Sequence, residues 1–349
     1  VRIAVIGAGS WGTALAQTLS RGGESEVMLW ARRPEVAATI TETRHNPTYL
    51  TEIALSDEVR ITSDLRDAMD GAGIVLLAIP THGMREIASA AAAHIAADAV
   101  VVSAAKGFEE RTGLTMSAVL CDVLGVRWDA RITALSGPNI AIEVARGLPA
   151  ASVVGGAQEA AEQVRDACTR AMFRVYSTTD RVGVEYGGAL KNVVAIAAGV
   201  CDGIGAGDNG KAAILTRGVA EEARLGVSAG ARVMTFAGLA GLGDCVVTCS
   251  SPHSRNRRLG EAIARGATLD EALTSIHMVV EGVNAARVAA RLARQYGVDM
   301  PITREVNAVL FEGKPVADAL ADLMHRDPAE ELRGLVAGDS LNSPRDLGE

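Results

Sequence analysis

Val1-Arg2-Ile3-Ala4-Val5-Ile6-Gly7-Ala8-Gly9-Ser10-Trp11-Gly12-Thr13-Ala14-Leu15-Ala16 opens the chain and governs how the rest is read. Residues 1–6 are an apolar run of strand length. Gly7, Gly9 and Gly12 follow in G-x-G-x-x-G spacing, and a helix-forming stretch comes next. Each glycine meets a different steric demand. Gly7 allows the tight turn from strand to helix, Gly9 lets a pyrophosphate approach the backbone, and Gly12 lets the helix pack close to the strand. The free N–H groups at the helix start then face the phosphates. Glycine-rich turns are common, so the pattern alone is weak. Its place between a strand and a helix makes it a dinucleotide-binding fingerprint.

About 20 residues beyond such a fingerprint, NAD-specific folds place an acid for the ribose 2′-hydroxyl. Here a second strand, 26–30, leads to Arg32-Arg33-Pro34 instead. Guanidinium groups suit a 2′-phosphate. The favoured cofactor is therefore NADP(H), with NAD(H) as the alternative. The competing reading of Arg32 and Arg33 is a solvated basic turn.

Strand-like runs recur at 59–62, 73–80, 100–107, 132–139, 151–155 and 173–177, with helical patterns at 64–70, 83–96, 114–124, 140–146 and 157–171. This alternation predicts a Rossmann-type doubly wound parallel sheet. Ligands of such sheets bind beyond the strand carboxyl ends, where Ser10, Arg32, Pro80, Lys106 and Gly137 fall. Near residue 180 the strand-like runs stop. Helical patterns follow at 182–201, 210–227, 230–239, 256–265, 269–275, 280–296, 302–309 and 315–324. The expected organisation is an α/β dinucleotide-binding domain over 1–182, an all-α substrate domain over 183–333, and a poorly ordered polar tail over 334–349. No Pro/Ser-rich linker separates the two domains, so they are expected to pack closely around a cleft.

Composition narrows the function classes. Aromatic residues make up only 3%, so Val, Ile, Leu and Ala must fill the cores, as in sheets covered by helices. A net charge of −8 argues against non-specific nucleic-acid binding. Cys121, Cys168, Cys201, Cys245 and Cys249 are scattered without C-x-x-C or Cys/His zinc spacing, which reads as a reduced, cytoplasmic protein. Cys245 and Cys249, one helical turn apart, read as small buried packing residues. The histidines share no ligand spacing on one helix, so no metal is expected. A serine hydrolase is not expected: the G-x-S-x-G match at Gly226-Val227-Ser228-Ala229-Gly230 lies among helical patterns and follows no strand-like run. No apolar run of the ~18 residues of a membrane span is evident.

The helical part supplies its own chemistry. Lys191 lies in the small, apolar stretch 187–199, where desolvation would favour its neutral form, as a proton-transfer lysine needs. A snorkelling surface lysine is the alternative. Asp244 ends the glycine-rich stretch 238–243 and would hold a hydroxyl or an ammonium; a helix-capping acid is the alternative. Ser254-Arg255-Asn256-Arg257-Arg258 begins a helix with an N-cap serine and guanidinium groups, a compact phosphate site.

In order along the chain stand Gly7–Ala16, Lys106-Gly107, Ser136-Gly137-Pro138, Leu190-Lys191-Asn192, Asp202-Gly203, Gly241-Leu242-Gly243-Asp244, Ser254–Arg258 and Val280-Glu281-Gly282. Through these the chain resembles the bacterial NAD(P)-dependent glycerol-3-phosphate dehydrogenases, from about residue 1 to 325. The resemblance implies reversible hydride transfer between NAD(P)H and dihydroxyacetone phosphate, giving sn-glycerol 3-phosphate for phospholipid synthesis. It implies Lys191 as proton acceptor in alcohol oxidation and donor in ketone reduction. It implies that Ser10, Trp11, Arg32, Lys106, Ala141, Arg255, Val279 and Glu281 contact the dinucleotide. Substrate contacts are implied for Lys106, Gly137, Asn139, Lys191, Asp244, Ser254, Arg255 and Asn256. A hydroxyl residue is common in the family where this chain has Asn139. Arg33 is added by the charge argument alone. Asp244 and Asn192 are expected to position the lysine, and a homodimer is the expected assembly. Two rivals stand beside this reading: a ketopantoate- or 2-hydroxyacid-type dehydrogenase of the same architecture, and a non-catalytic NADP-binding redox sensor. The 254–256 cluster favours a phosphorylated substrate.

Overall fold

Eight short apolar runs form one sheet: β1 Arg2–Ile6, β2 Glu26–Trp30, β3 Val59–Thr62, β4 Ile74–Leu77, β5 Val100–Ser103, β6 Ile132–Ser136, β7 Ala150–Gly155 and β8 Phe173–Thr178. The structure is a computed structural model that describes residues 1–327, 330–331 and 333–335. The expectation for the tail beyond residue 335 lies outside the described residues. The strand order is β3-β2-β1-β4-β5-β6-β7-β8. It reverses between β1 and β4, which is the switch point where doubly wound sheets hold dinucleotides.

The sheet helices are α1 Ser10–Ser20, α2 Pro34–Thr43, α3 Leu65–Met69, α4 Met84–Ala91, α5 Met116–Leu124, α6 Ala141–Arg146 and α7 Gln158–Cys168. Alternate residues of each strand feed opposite cores. Ile3, Val5, Leu76 and Val102 pack on one face with Leu15 and Leu19 of α1. Ala4, Ile6, Val75, Leu77 and Val101 pack on the other with Met84 and Leu120. Burial on both faces is why these strands read as continuous apolar runs rather than alternating ones.

One junction departs from the parallel expectation: β7 runs antiparallel to β6. The chain turns back at the carboxyl end of β6, and α6 rests on α1, where Thr18 donates to the Val144 carbonyl. Helix α2 was not foreseen either; its start is marked by Pro34 in the first turn.

After β8 the chain is helical: α8 Arg181–Ile204, α9 Gly207–Ser228, α10 Asp244–Ser250, α11 Arg255–Ala264, α12 Leu269–Ile276, α13 Glu281–Tyr296, α14 Pro301–Phe311 and α15 Val316–Met324. Helix α8 is the hub, with α9, α10, α11, α13 and α14 around it and β6 and β7 at its start. It is long and apolar enough to cross a bilayer by length and composition alone, but 78% of that window is buried inside the protein. Its apolarity is that of a core helix. The expected helix over 230–239 is instead a 3₁₀ turn, Val233–Ala237, followed by a wide π turn, Leu239–Gly243. The glycines of that stretch admit Phe236 closely: a Cβ on Gly241 would lie 2.3 Å from the Phe236 carbonyl oxygen.

Candidate active site

The glycine turn at the end of β1 has the shape its spacing implies. Gly7 takes φ +116°, a region that L side chains avoid, and a Cβ there would lie 2.7 Å from the Ala78 oxygen. A Cβ on Gly12 would stand 1.8 Å from the Gly7 oxygen, whereas one on Gly9 would meet nothing within 4 Å. Gly9 thus fronts open space, with the N-terminus of α1 behind it. No side chain caps that helix, so its first N–H groups stay available to an anion. A dinucleotide fits these residues.

Asn46, which the sequence did not single out, braces the turn. Its Nδ2 donates to the Ala8 oxygen (2.9 Å) and to Thr13 Oγ1 (3.0 Å), and its Oδ1 accepts the N–H groups of Thr48 and Tyr49. Trp11 lies edge-on to Phe173, with ring centroids 6.4 Å apart. Ser10 is partly buried at the helix start. Ala141 opens α6 and packs, with Trp11, on Ala14 and Ile53. Arg32 and Arg33 are exposed just beyond β2, and Arg33 Nε is 3.8 Å from Glu35.

A buried charged cluster forms where β5, α8 and α10 meet. Lys106 follows β5, Lys191 sits mid-way along α8, and Asp244 begins α10. Lys106 Nζ lies 2.6 Å from Asp244 Oδ2, and Lys191 Nζ lies 2.8 Å from Oδ1. Lys106 also donates to the Gly137 oxygen at 2.8 Å. Lys191 donates to Thr248 Oγ1 (2.6 Å), whose hydroxyl donates to the Asp244 main-chain oxygen one turn back (2.6 Å). Asp244 is 1% exposed and Lys191 6%, so Lys191 is a buried partner in an ion pair rather than a snorkelling one. Glycines make the approach feasible: a Cβ on Gly188 would sit 2.6 Å from Ser136 Oγ.

Burial raises the Asp244 carboxyl, but the Lys106 and Lys191 ammonium groups overcome that and hold it below the usual carboxylate range. Burial lowers Lys106 to about 8; Asp244 opposes the shift and Lys191 adds to it. Asn192 does not touch the Lys191 amine as expected. Its Nδ2 donates to the Lys106 oxygen (3.3 Å), and its Oδ1 accepts from Asn256 Nδ2 (2.8 Å). Thr248, rather than Asn192, meets the Lys191 amine beside Asp244. The i, i+4 spacing of Asp244 and Thr248 was its one available signal, and that signal is visible only once α10 is known to be a helix.

Asn256 lies in the first turn of α11, buried, with its Oδ1 accepting Gly282 N–H (3.0 Å). Ser254 caps the helix by accepting the Arg257 N–H (3.2 Å). Arg255 Nη1 donates to the Val279 oxygen (2.6 Å), which leaves its other guanidinium donors for a ligand. Burial lowers the Arg255 pKa, with Glu281 and Tyr49 acting the other way. Glu281 itself is held by Thr81. Asn139 points elsewhere: its Nδ2 donates to the Ala151 oxygen (3.0 Å) and its Oδ1 accepts from Ser152 (2.8 Å), tying β6 to β7. Lys106, Gly137, Lys191 and Asp244 are therefore in direct contact, with Asn256 linked to them through Asn192. Cys245 and Cys249 lie behind this cluster as buried thiols with sulfurs 3.8 Å apart.

Comparison with known proteins gives the family. Two family models match in succession: NAD-dependent glycerol-3-phosphate dehydrogenase N-terminus over residues 2–162, and its C-terminus over residues 180–321. The chain belongs to that family. The glycerol-3-phosphate dehydrogenase [NAD(P)+] of Moorella thermoacetica is 49% identical over 331 residues, covering 95% of this chain and 97% of the relative. That of Pelotomaculum thermopropionicum is 47% identical, covering 97% of each. Among solved structures, glycerol-3-phosphate dehydrogenase from Coxiella burnetii superposes with a TM-score of 0.87 at 33% identity, covering 93% of this chain and 99% of that one. A ketopantoate reductase from Ralstonia eutropha is 18% identical with a TM-score of 0.58, a likeness of fold alone.

Proposed function

We propose that this protein is an NAD(P)-dependent sn-glycerol-3-phosphate dehydrogenase that interconverts dihydroxyacetone phosphate and sn-glycerol 3-phosphate. The observation that carries the reading is the buried Asp244 carboxylate shared by Lys106 and Lys191 at the carboxyl edge of the sheet. Membership of the family supplies the reaction class.

Gly7, Gly9, Ser10, Trp11 and Gly12 hold the dinucleotide on the α1 N-terminus, with Ala141, Val279 and Glu281 beside it. Arg32 and Arg33, exposed beyond β2, support a preference for a 2′-phosphate and so for NADP(H). The bound dihydronicotinamide supplies the hydride. Arg255, Asn256 and the Ser254-capped start of α11 take the substrate phosphate. Gly137 and Lys106 flank the reacting carbon. Lys191 presents its ammonium to the carbonyl oxygen, stabilises the negative charge that grows there, and gives up its Nζ proton to complete the alcohol. Thr248 and Asp244 keep that amine aimed. Once Lys191 is neutral, Lys106 still balances the Asp244 charge, so the buried site never holds an unpaired anion.

The reading extends to organisation. Domains over 1–182 and 183–333 fit the end of β8 at Thr178 and the start of α8 at Arg181. A homodimer is the default assembly of such an enzyme. Five free thiols suit the reducing cytoplasm. The direct test mixes protein, NADPH and dihydroxyacetone phosphate and follows nicotinamide absorbance. Oxidation that requires the phosphorylated ketone is expected. Equal rates with unphosphorylated dihydroxyacetone or with ketopantoate, or no oxidation at all, would overturn the proposal.

A further inference from the structure

Glu281 opens α13 in the helical half, yet its carboxylate is gripped from the other half. Thr81 N–H donates to Oε1 at 3.2 Å, and Thr81 Oγ1 donates to Oε2 at 2.7 Å. Thr81 is 4% exposed and stands just beyond β4, the strand beside β1 at the reversal of sheet order. Gly107 leaves room for the pair: a Cβ there would lie 2.8 Å from Thr81 Cγ2 and 3.4 Å from Glu281 Oε2.

The grip is not what seats α13. Farther along the helix, Asn284 Nδ2 donates to the Phe108 oxygen (2.8 Å), Arg287 pairs with Glu110 (2.6 Å), and Arg291 donates to the Glu110 oxygen (2.7 Å). Those contacts fasten the helix to the 108–110 loop without Thr81. What Thr81 adds is orientation. A glutamate side chain has several rotamers to lose on ordering, and two donors on one residue fix both oxygens as a unit. Each oxygen accepts one hydrogen from Thr81 and keeps acceptor capacity for a ligand hydroxyl.

We propose that Thr81 is a positioning residue for cofactor binding: it sets the Glu281 carboxylate in the orientation that accepts hydroxyl hydrogens of the dinucleotide. The inference rests on the reading in which Glu281 meets the dinucleotide.

The full-length protein carrying Thr81→Val, Thr81→Ser, Glu281→Gln or Thr81→Val with Glu281→Gln is titrated with NADPH by fluorescence and assayed at saturating substrate. Thr81→Val is expected to weaken NADPH binding and raise its KM up to about tenfold, the cost of ordering one freed glutamate side chain on binding. Its kcat at saturating NADPH should stay near wild type. Thr81→Ser should restore affinity, and the double variant should bind no more weakly than Glu281→Gln alone. If Glu281→Gln weakens binding while Thr81→Val does not, or if serine fails to rescue, the positioning role falls and the dinucleotide reading of Glu281 stands. If Glu281→Gln leaves NADPH affinity unchanged, that reading fails and the proposal with it. Should Thr81→Val not fold, Thr81→Ala carries the same test, with unchanged affinity overturning the proposal.

Discussion

In the proposed reaction Lys191 carries two tasks in one atom, charge and proton, and Asp244 and Thr248 hold it in place. Lys191→Ala is therefore expected to fold and to bind NADPH normally, yet to lose ~1,000-fold or more in kcat. Steady-state kinetics beside an NADPH titration check this, and near-normal turnover would refute the role. Lys106 makes a different prediction. Burial brings its ammonium down to about 8. Below that pH it is charged and balances Asp244; above it the charge is lost. The kcat/KM for dihydroxyacetone phosphate reduction should accordingly fall as pH climbs through about 8. A profile flat to pH 10 would show that Lys106 keeps its ordinary ionisation or that its charge is not needed.

At the scale of elements, the β1–α1 turn separates folding from binding. A methyl on Gly12 would strike the Gly7 oxygen at 1.8 Å, and one on Gly9 would meet no protein atom within 4 Å. Gly9 also has ordinary extended backbone, φ −77° and ψ −177°. Gly9→Ala is therefore expected to keep its unfolding midpoint and lose NADPH affinity, whereas Gly12→Ala loses both. Calorimetry and nucleotide titration of the two variants together decide it; equal stability losses would show that the open space at Gly9 has no role. The same two glycines were legible in sequence because strand, turn and helix are neighbours there. Helix α10 was not legible, since its approach, Gly238–Gly243, carries no apolar period and its course is set by Phe236 packing against Gly241.

Across the whole molecule, buried acids knit the helical part and make its stability depend on pH. Glu221 of α9 accepts the N–H groups of Ile302 (2.6 Å) and Thr303 (3.1 Å) at the start of α14. Burial nevertheless pushes its carboxyl from 4.5 up to about 7. Between those values the unfolded chain has released the proton and the folded chain still binds it. Stability therefore falls as pH rises through that window, by on the order of 3 kcal/mol, and the loss is complete above it. Glu221→Gln stays neutral, so wild type should lose stability relative to the variant between pH 4.5 and 7 in chemical denaturation. A constant difference across that range would count against the buried proton. Glu222, its neighbour, is held well above the usual range by burial, and neither of its carboxyl oxygens has a hydrogen-bond partner among the described residues.

The sequence by itself determined what depends on near neighbours: the fingerprint turn, the apolar strands, the change to helices near residue 180, and the N-cap at Ser254. It also exposed Lys191, because charge stands out in small, apolar surroundings, and Arg255, because it follows a serine N-cap in a cluster of guanidinium groups. Only the tertiary structure decided the reversal of β7, because a strand's direction is set by the neighbour it pairs with and leaves no mark in its own residues. It also decided the partners of each polar group. Lys106 meets Asp244 across 138 residues, Asn192 meets Asn256 across 64, and Thr81 meets Glu281 across 200. No local period encodes such pairs. They exist because buried polar groups must find partners in whatever surface the folded halves bring against them.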